Sequence, residues 1–375
     1  MADGVFSPIW ALGFMSGTSL DAVDAALIRT DGEAVLDFGP VAERTYTDAE
    51  RSVLAEAVQA AIQWNWEGER PEGAFRAACD VLTKAHSDAF SEVVSKCSVA
   101  QRPVLAGIHG QTVLHRPPTP GRVGATLQIV DEMAIAQAFG IPVGFDFRSD
   151  DVAAGGQGAP LAPVYHQALC HDVSEPVAVL NLGGVANLTY VSDGEPLLGF
   201  DCGPANGPID EWVEGHGLGR YDADGRYATA GRVHEGALAM WLDNPWFGES
   251  LPKSLDRYDF SANLARGLSL EDGAATLTAL SASGVALGLK LFPKSVSRVI
   301  ACGGGRRNPA LMAELRKRCP CPVMTAEDMG WRGDSIEAEA FALLAVRSQR
   351  GLPISFPGTT GAKAPMTGGR VVRPD

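Results

Sequence analysis

The stretch Ala11-Leu-Gly-Phe-Met-Ser-Gly-Thr-Ser-Leu-Asp-Ala-Val-Asp-Ala-Ala-Leu-Ile28 decides how the rest of the chain is read. The mostly apolar run from Ile9 to Met15 predicts a strand. Val23, Ala25 and Leu27 alternate with Asp24 and Ala26, the period of a second strand. Between the two lie Ser16, Gly17, Thr18 and Ser19. Gly17 lets the backbone approach a ligand closely, and the neighbouring hydroxyls and N–H groups suit phosphate oxygens. An ordinary hairpin loop has the same composition, so the loop alone does not separate the two readings.

The design recurs. Val177-Ala-Val-Leu-Asn-Leu182 predicts a strand, Gly183-Gly184 a turn, and Leu188-Thr-Tyr-Val191 a return strand. Asp31-Gly32 follows the first copy and Asp193-Gly194 the second, 162 residues later. An internal repeat at that distance implies two related domains, each offering a backbone turn to one ligand.

The 375 residues allow two domains or one large one. Apolar residues make up 46% and charged residues 20%, as in globular proteins. A net charge of −14 argues against general nucleic-acid binding, which relies on basic patches. No apolar run has the length of a membrane helix, and Met1-Ala-Asp-Gly-Val5 lacks a basic n-region, so no secretory leader is expected. Seven scattered cysteines read as reduced thiols of a cytoplasmic protein, with Cys319-Pro-Cys321 too tight for zinc spacing.

Outward from the first stretch, Thr47-Asp-Ala-Glu50 is a capping box that opens a helix to about Gln63. Phe75, Cys79, Leu82, Ala89 and Val93 mark one face of a second helix. Val104–Ile108 is a short buried strand emptying into His109-Gly-Gln-Thr112, the position where open α/β sheets place ligands. Gln111 and Thr112 both donate and accept, which suits sugar hydroxyls or phosphate; His109 has structural uses as readily as functional ones. Pro142–Phe145 is another strand. Arg148 follows it, either as an anion clamp or as a surface partner of Asp150 or Asp151.

Leu197–Pro204 predicts a strand that stops at Gly203-Pro204, with Asp201 at its end. A helix from Asn206, capped by that residue, follows. A carboxylate on a rigid strand end beside a helix N-terminus suits a general base, although an Asp also caps its own turn. Pro252-Lys-Ser254 is either a cation for an anionic ligand or a plain loop. Cys302-Gly-Gly-Gly305 lies between a strand and a helix capped by Asn308, and bare glycine backbone there admits a ribose or a base. Neither GxGxxG nor GxxxxGK[ST] occurs. Asp334 and Glu337 have capping-box spacing at the start of the last helix, a complete structural account of both, though Glu337 is also free to face a ligand. Pro357–Gly369 reads as an extended tail over the first domain.

These pieces together resemble the 1,6-anhydro-N-acetylmuramic acid kinases, within the actin-like, hexokinase and Hsp70 superfamily. The stretches that carry the resemblance are Met15–Asp24, His109–Thr112, Asp146-Phe-Arg148, Gly155–Pro160, Asn181–Asn187, Gly199–Pro204, Cys302–Gly305 and Glu337-Ala338, in order from end to end. Ala22, Cys202 and Ala205 depart from the residues usual at their positions.

The resemblance implies an α/β fold of two RNase H-like (actin-like ATPase) domains around a central interdomain cleft. It implies domain I at 1–143 plus about 345–375 and domain II at 144–344. It implies ATP with Mg²⁺, and conversion of the anhydro sugar to N-acetylmuramic acid 6-phosphate in cell-wall recycling. The nucleotide loop carries over to Gly17, Thr18, Ser19, Leu20, Asp21, Ala22, Val23 and Asp24, with Gly303 and Gly304 on the adenosine side. The catalytic aspartate carries over to Asp201. Sugar contacts carry over to Arg148 and Glu337, joined by Gln111 and Thr112, and Asp21 or Asp24 is available to a metal. No membrane or nucleic-acid partner is expected, and a homodimer is compatible with the sequence. Three other readings stand beside this one: a kinase for an ordinary reducing sugar, a non-catalytic nucleotide switch, and a hydrolase using Ser16 or Ser19, which lacks a Gly-x-Ser-x-Gly elbow.

Overall fold

A computed structural model describes residues 6–119, 121–251, 253–256 and 259–375. The chain divides into unit 1, Met1–His171 with Ser335–Asp375, and unit 2, Asp172–Asp334. The strands of unit 1 begin with β1 (Ile9–Ser16), β2 (Ala22–Thr30), β3 (Val35–Thr45) and β4 (Leu105–Ile108). They continue with β5 (Gln111–Arg116), β6 (Ala125–Ile129) and β7 (Val143–Phe145). Unit 2 holds β8 (Val177–Leu182), β9 (Val185–Val191), β10 (Leu198–Pro204), β11 (Val299–Cys302) and β12 (Val323–Thr325). The chain then returns to unit 1 for β13 (Arg370–Val372).

The two main sheets share one plan. Unit 1 runs β3-β2-β1-β4-β7, with β13 added at the β7 edge; unit 2 runs β10-β9-β8-β11-β12. In each, the first three strands in sequence are antiparallel and the next two join parallel. This is the ribonuclease H-like arrangement, present twice, and it is the physical content of the sequence repeat.

In unit 1 one sheet face is covered by the helices Asp48–Trp64 and Glu72–Lys96, which bury Leu54, Ala61, Phe75 and Leu82 against Leu12 and Phe14. The Thr47–Glu50 capping box forms as read from sequence. The other face takes the helix Ile336–Arg350. Gly13, Gly107 and Gly144 stand side by side across β1, β4 and β7. A Cβ on Gly13 would lie 1.8 Å from the Ala338 carbonyl oxygen, and one on Gly107 2.0 Å from that of Phe341. The helix therefore rests backbone-to-backbone in a glycine groove, which fixes where its first turn sits. In unit 2 the helix Leu270–Gly288 is almost entirely buried. It is long and apolar enough to cross a membrane by composition, but 78% of its apolar window is buried inside the protein.

The structure departs from the sequence reading in several places. Segments 144–171 and 335–344 belong to unit 1, because β7 joins its sheet and the helices Ala162–Leu169 and Ile336–Arg350 pack together with it. Gln111–Arg116, to which the sequence assigns no element, is a strand hairpinned to β6. Asn206 is not an N-cap: its amide donates to the Leu182 and Gly183 carbonyls and braces the glycine turn. Asp334 and Glu337 form no capping box. Asp334 instead accepts from Arg306 at 2.8–2.9 Å and also from Arg307. The tail Pro357–Gly369 is not extended throughout, since Pro357–Thr360 forms a helical turn; beyond it β13 pairs with β7.

Candidate active site

The β1–β2 turn is built for exposed backbone. Ser16 is buried, its hydroxyl donating to the Gly110 carbonyl at 3.0 Å. Thr18, Ser19 and Asp21 are exposed, with Gly17 and Leu20 half-buried. Leu20 has φ 57°, a left-handed conformation rare for leucine, which orients the turn while its N–H closes on the Gly17 carbonyl. Strain of this kind concentrates where a ligand is held. Val23 is fully buried, so it offers a ligand backbone at most; Ala22 and Asp24 already lie on β2. Asp21 faces Arg51 at 3.8 Å.

Beside this turn, the segment after β4 assembles a second cluster. The Gln111 amide donates to the Gly17 carbonyl at 3.3 Å, while its Oε1 is buried with no partner among the described residues. Thr112 accepts from Gln128 at 3.2 Å. His109 is buried, and burial with the Arg148 charge pushes its pKa down to about 3, so the ring is neutral. Its Nε2 accepts from Arg148 Nε at 3.3 Å and Nη2 at 3.1 Å. Arg148 Nη1 donates to the Gly158 carbonyl at 2.7 Å. Three of the five guanidinium N–H groups are thereby used, leaving two for an incoming acceptor. Asp150 and Asp151 make no ion pair with Arg148 among the described residues. Asp150 faces Arg370 instead.

Glu337, on the first turn of Ile336–Arg350, keeps its solvent exposure. The surrounding protein raises its carboxyl above the ordinary value, and the facing Arg148 charge opposes that shift. With Asp334 occupied elsewhere, no capping role accounts for Glu337. Arg148, Glu337, His109, Gln111 and Thr112 thus lie in one unit, positioned by β4, β7 and the groove-bound helix.

Unit 2 holds the other candidates. Asp201 lies at a β-bulge in β10, where the register against β9 shifts between Asp201 and Gly203. Asp201 is thus mid-strand rather than at the strand end expected from sequence, on the edge strand of its sheet, where bulges commonly re-aim side chains. Its Oδ2 accepts the Leu255 N–H at 2.8 Å, and its own N–H donates to the Lys253 carbonyl at 3.2 Å. Burial pushes the Asp201 carboxyl up to about 6, against the pull of the Leu255 N–H. It does not cap its own turn. Lys253 is committed to the Trp246 and Phe247 carbonyls and stacks on the Trp246 ring at 4.1 Å, so it is no free cation for a ligand. Pro252, the other half of that reading, lies outside the described residues.

The glycine loop after β11 is tightly supported. Gly303 has φ 73°, and a Cβ there would come 2.4 Å from Asn181 Oδ1. Buried Arg306 ties the loop down, donating to the Gly303 carbonyl at 2.9 Å and to Glu327 and Asp334. Gly304, by contrast, has open space where a side chain would be. It opens on a cavity of about 530 Å³ that is also lined by Asn206, Asp210, Arg220, Tyr221, Asp222, Asp224, Arg307 and Asn308. Sequence reading missed this cavity's far wall. Tyr221–Arg226 resembles a calcium loop only briefly, and nothing local ties it to Gly304.

A sequence profile described as anhydro-N-acetylmuramic acid kinase matches residues 10–374. A curated protein of that name from Caulobacter vibrioides is 51% identical over 364 residues, covering 96% of this chain and 98% of its own. The Phenylobacterium zucineum protein is 51% identical over 97% of this chain and 99% of its own. The Rhizobium rhizogenes protein is 50% identical with the same coverages. Among solved structures, the ROK hexokinase from Thermus thermophilus aligns with 92% of this chain and 100% of its own at 15% identity and a TM-score of 0.42.

Proposed function

The chain belongs to the anhydro-N-acetylmuramic acid kinase family, and from that premise we propose which of its residues carry the chemistry. It is a kinase for the bridged amino sugar, it uses ATP, and its family serves peptidoglycan recycling. Asp201 is the general base. Near pH 7 a carboxyl with a pKa of about 6 is mostly ionised yet basic enough to accept a proton, which is the balance such a group needs. That carboxylate, held at a bulge within β10 by the Leu255 N–H, is the observation that carries the reading.

Asp201 takes a proton from water as the water oxygen bonds to the anomeric carbon. The bond from that carbon to O6 breaks, and O6 keeps the electron pair. O6 then attacks the γ-phosphorus of ATP, and ADP leaves. Arg148 and Glu337 orient the sugar, with Gln111 and Thr112 bonding hydroxyl or phosphate oxygens. Backbone N–H groups of the turn other than that of Leu20, which is held by the Gly17 carbonyl, donate to phosphate oxygens and stabilise the charge on the transferring group. The cavity beside Gly304 seats the adenosine.

Magnesium enters this reading with the nucleotide. Among the described residues no group of three His, Cys, Asp or Glu could hold a metal, and Asp21 is drawn towards Arg51. Asp21 or Asp24 would hold it through water beside the nucleotide's phosphate oxygens. Bound magnesium neutralises phosphate charge. A cytoplasmic setting fits these substrates and the seven cysteine thiols.

The test is ADP release with and without anhydro-N-acetylmuramic acid, run in ¹⁸O-labelled water. Sugar-dependent ADP with label at C1 is the expected result. ADP release without label at C1 favours a kinase for an ordinary reducing sugar, and nucleotide binding without sugar-dependent release favours a switch.

A further inference from the structure

We propose that Asp151 is a positioning residue for sugar binding, setting Arg148 through Gly158 and tying it to the C-terminal segment at Ser355 and Thr360. The proposal rests on the reading of Arg148 as a sugar contact. Asp151 sits in the short helix Ser149–Ala153 and is only 2% exposed. A buried carboxylate is costly unless its oxygens are satisfied. Its partners here are not cations. Oδ2 accepts the Gly158 N–H at 2.7 Å. Oδ1 accepts the Thr360 hydroxyl at 2.6 Å and also the Ser355 hydroxyl.

The two polar groups of Gly158 are thus gripped from opposite sides. Its N–H is held by Asp151, and its carbonyl receives Arg148 Nη1 at 2.7 Å. The loop folds tightly enough that a Cβ on Gly156 would come 2.2 Å from Asp151 Oδ2, and Gly158 needs φ +71° to make the turn. A second strap runs in parallel, from the Gln157 N–H to the Thr360 carbonyl at 2.7 Å. Arg148 therefore has one acceptor fixed by β4, the neutral ring of His109, and a second fixed by the tail through Asp151. Remove the second, and the guanidinium pivots about His109, so its two free N–H groups lose their aim. Charge adds to this, since the Asp151 carboxylate also acts on Arg148 through space.

The experiment is steady-state kinetics, varying each substrate at saturating levels of the other. The variants are Asp151→Asn, Ser355→Ala with Thr360→Val, Arg148→Ala, and Asp151→Asn combined with Arg148→Ala. Loss of a charged hydrogen-bond acceptor predicts a rise of about tenfold or more in the KM for the sugar in Asp151→Asn, with the KM for ATP within about twofold. Ser355→Ala with Thr360→Val should move the same constant by less. In the Arg148→Ala background, Asp151→Asn should add no more than about twofold, because a residue acting through another is non-additive with it. An unchanged sugar KM in Asp151→Asn overturns the proposal. So does an equal rise in both KM values, or a loss that multiplies in full with that of Arg148→Ala. Should Asp151→Asn fail to fold, the Ser355 and Thr360 pair, alone and with Arg148→Ala, decides by the same criteria. An Arg148→Ala variant with normal sugar KM would instead reject Arg148 as the sugar contact, a separate failure.

Discussion

Replacing Asp201 by Asn should abolish turnover and stabilise the protein, and the stabilisation should depend on pH. In the fold the carboxyl has a pKa of about 6; in an unfolded chain it has the ordinary 3.8. Raised by burial, it makes its full contribution to stability below 3.8 and loses that contribution as pH rises towards 6. Above pH 6 the ionised carboxylate costs the folded state about 3 kcal/mol, at 1.36 kcal/mol for each pH unit between the two values. Asn is isosteric and uncharged, and its oxygen still accepts the Leu255 N–H. Asp201→Asn should therefore melt higher at pH 7 by about 6–12 °C, at roughly 2–4 °C per kcal/mol. The gain should vanish by about pH 3.5. Differential scanning calorimetry of both proteins from pH 3.5 to 7.5 gives the difference directly. ADP release in the same samples should fall by about 100- to 10,000-fold. Wild-type kcat/KM should rise about tenfold between pH 5 and 7 and then level off, since ionised Asp201 grows from roughly a tenth to nine-tenths of the total. A melting gain that is the same at pH 3.5 and pH 7, or a variant that turns over normally, refutes the reasoning.

Four further outcomes are expected. Glu337→Gln should raise the KM for the sugar about tenfold and leave that for ATP alone, because it removes the charge facing Arg148; equal effects on both would count against a sugar role. Gly107→Ala should lower the melting temperature by about 2–12 °C, since its methyl meets the Phe341 carbonyl and overpacking costs about 1–3 kcal/mol; a normal melting curve would contradict the groove. His109 should show no NMR titration between pH 5 and 8, because burial holds its pKa near 3, and a midpoint near 6.5 would remove its role as acceptor for Arg148. Arg307→Ala should weaken ATP binding by calorimetry with the sugar KM unchanged, and undiminished affinity would move the nucleotide away from the cavity beside Gly304.

What was legible in the sequence was local. Thr47 and Glu50 are three residues apart, and their capping box formed. The strands around Gly17 and Gly183 were readable from a period of two, and their repetition pointed to the paired sheets. Asp334 and Glu337 have the same spacing as a capping box, yet Asp334 is claimed by Arg306, which lies 28 residues earlier. Asn206 was diverted in the same way by carbonyls 23 and 24 residues away. The role of Asp151 was invisible, because two of its partners lie more than 200 residues downstream. Gln111–Arg116 shows no strand alternation, and only its partner β6 makes it one. The strand carrying Asp201 is legible, but Asp201 lies mid-strand rather than at its end, and the bulge and the raised pKa come from packing that no local pattern encodes.

The glycine groove also bears on how the chain comes off the ribosome. Residues 172–334 hold a complete five-stranded sheet in one contiguous stretch, so that unit has all its parts once Asp334 emerges. The first 171 residues do not. The face bearing Gly13, Gly107 and Gly144 waits for Ile336–Arg350, which is translated only after the whole of unit 2. Chain-binding chaperones therefore have a natural client in the nascent N-terminal half, and a premature stop shortly after residue 334 should yield an aggregating product rather than a smaller enzyme.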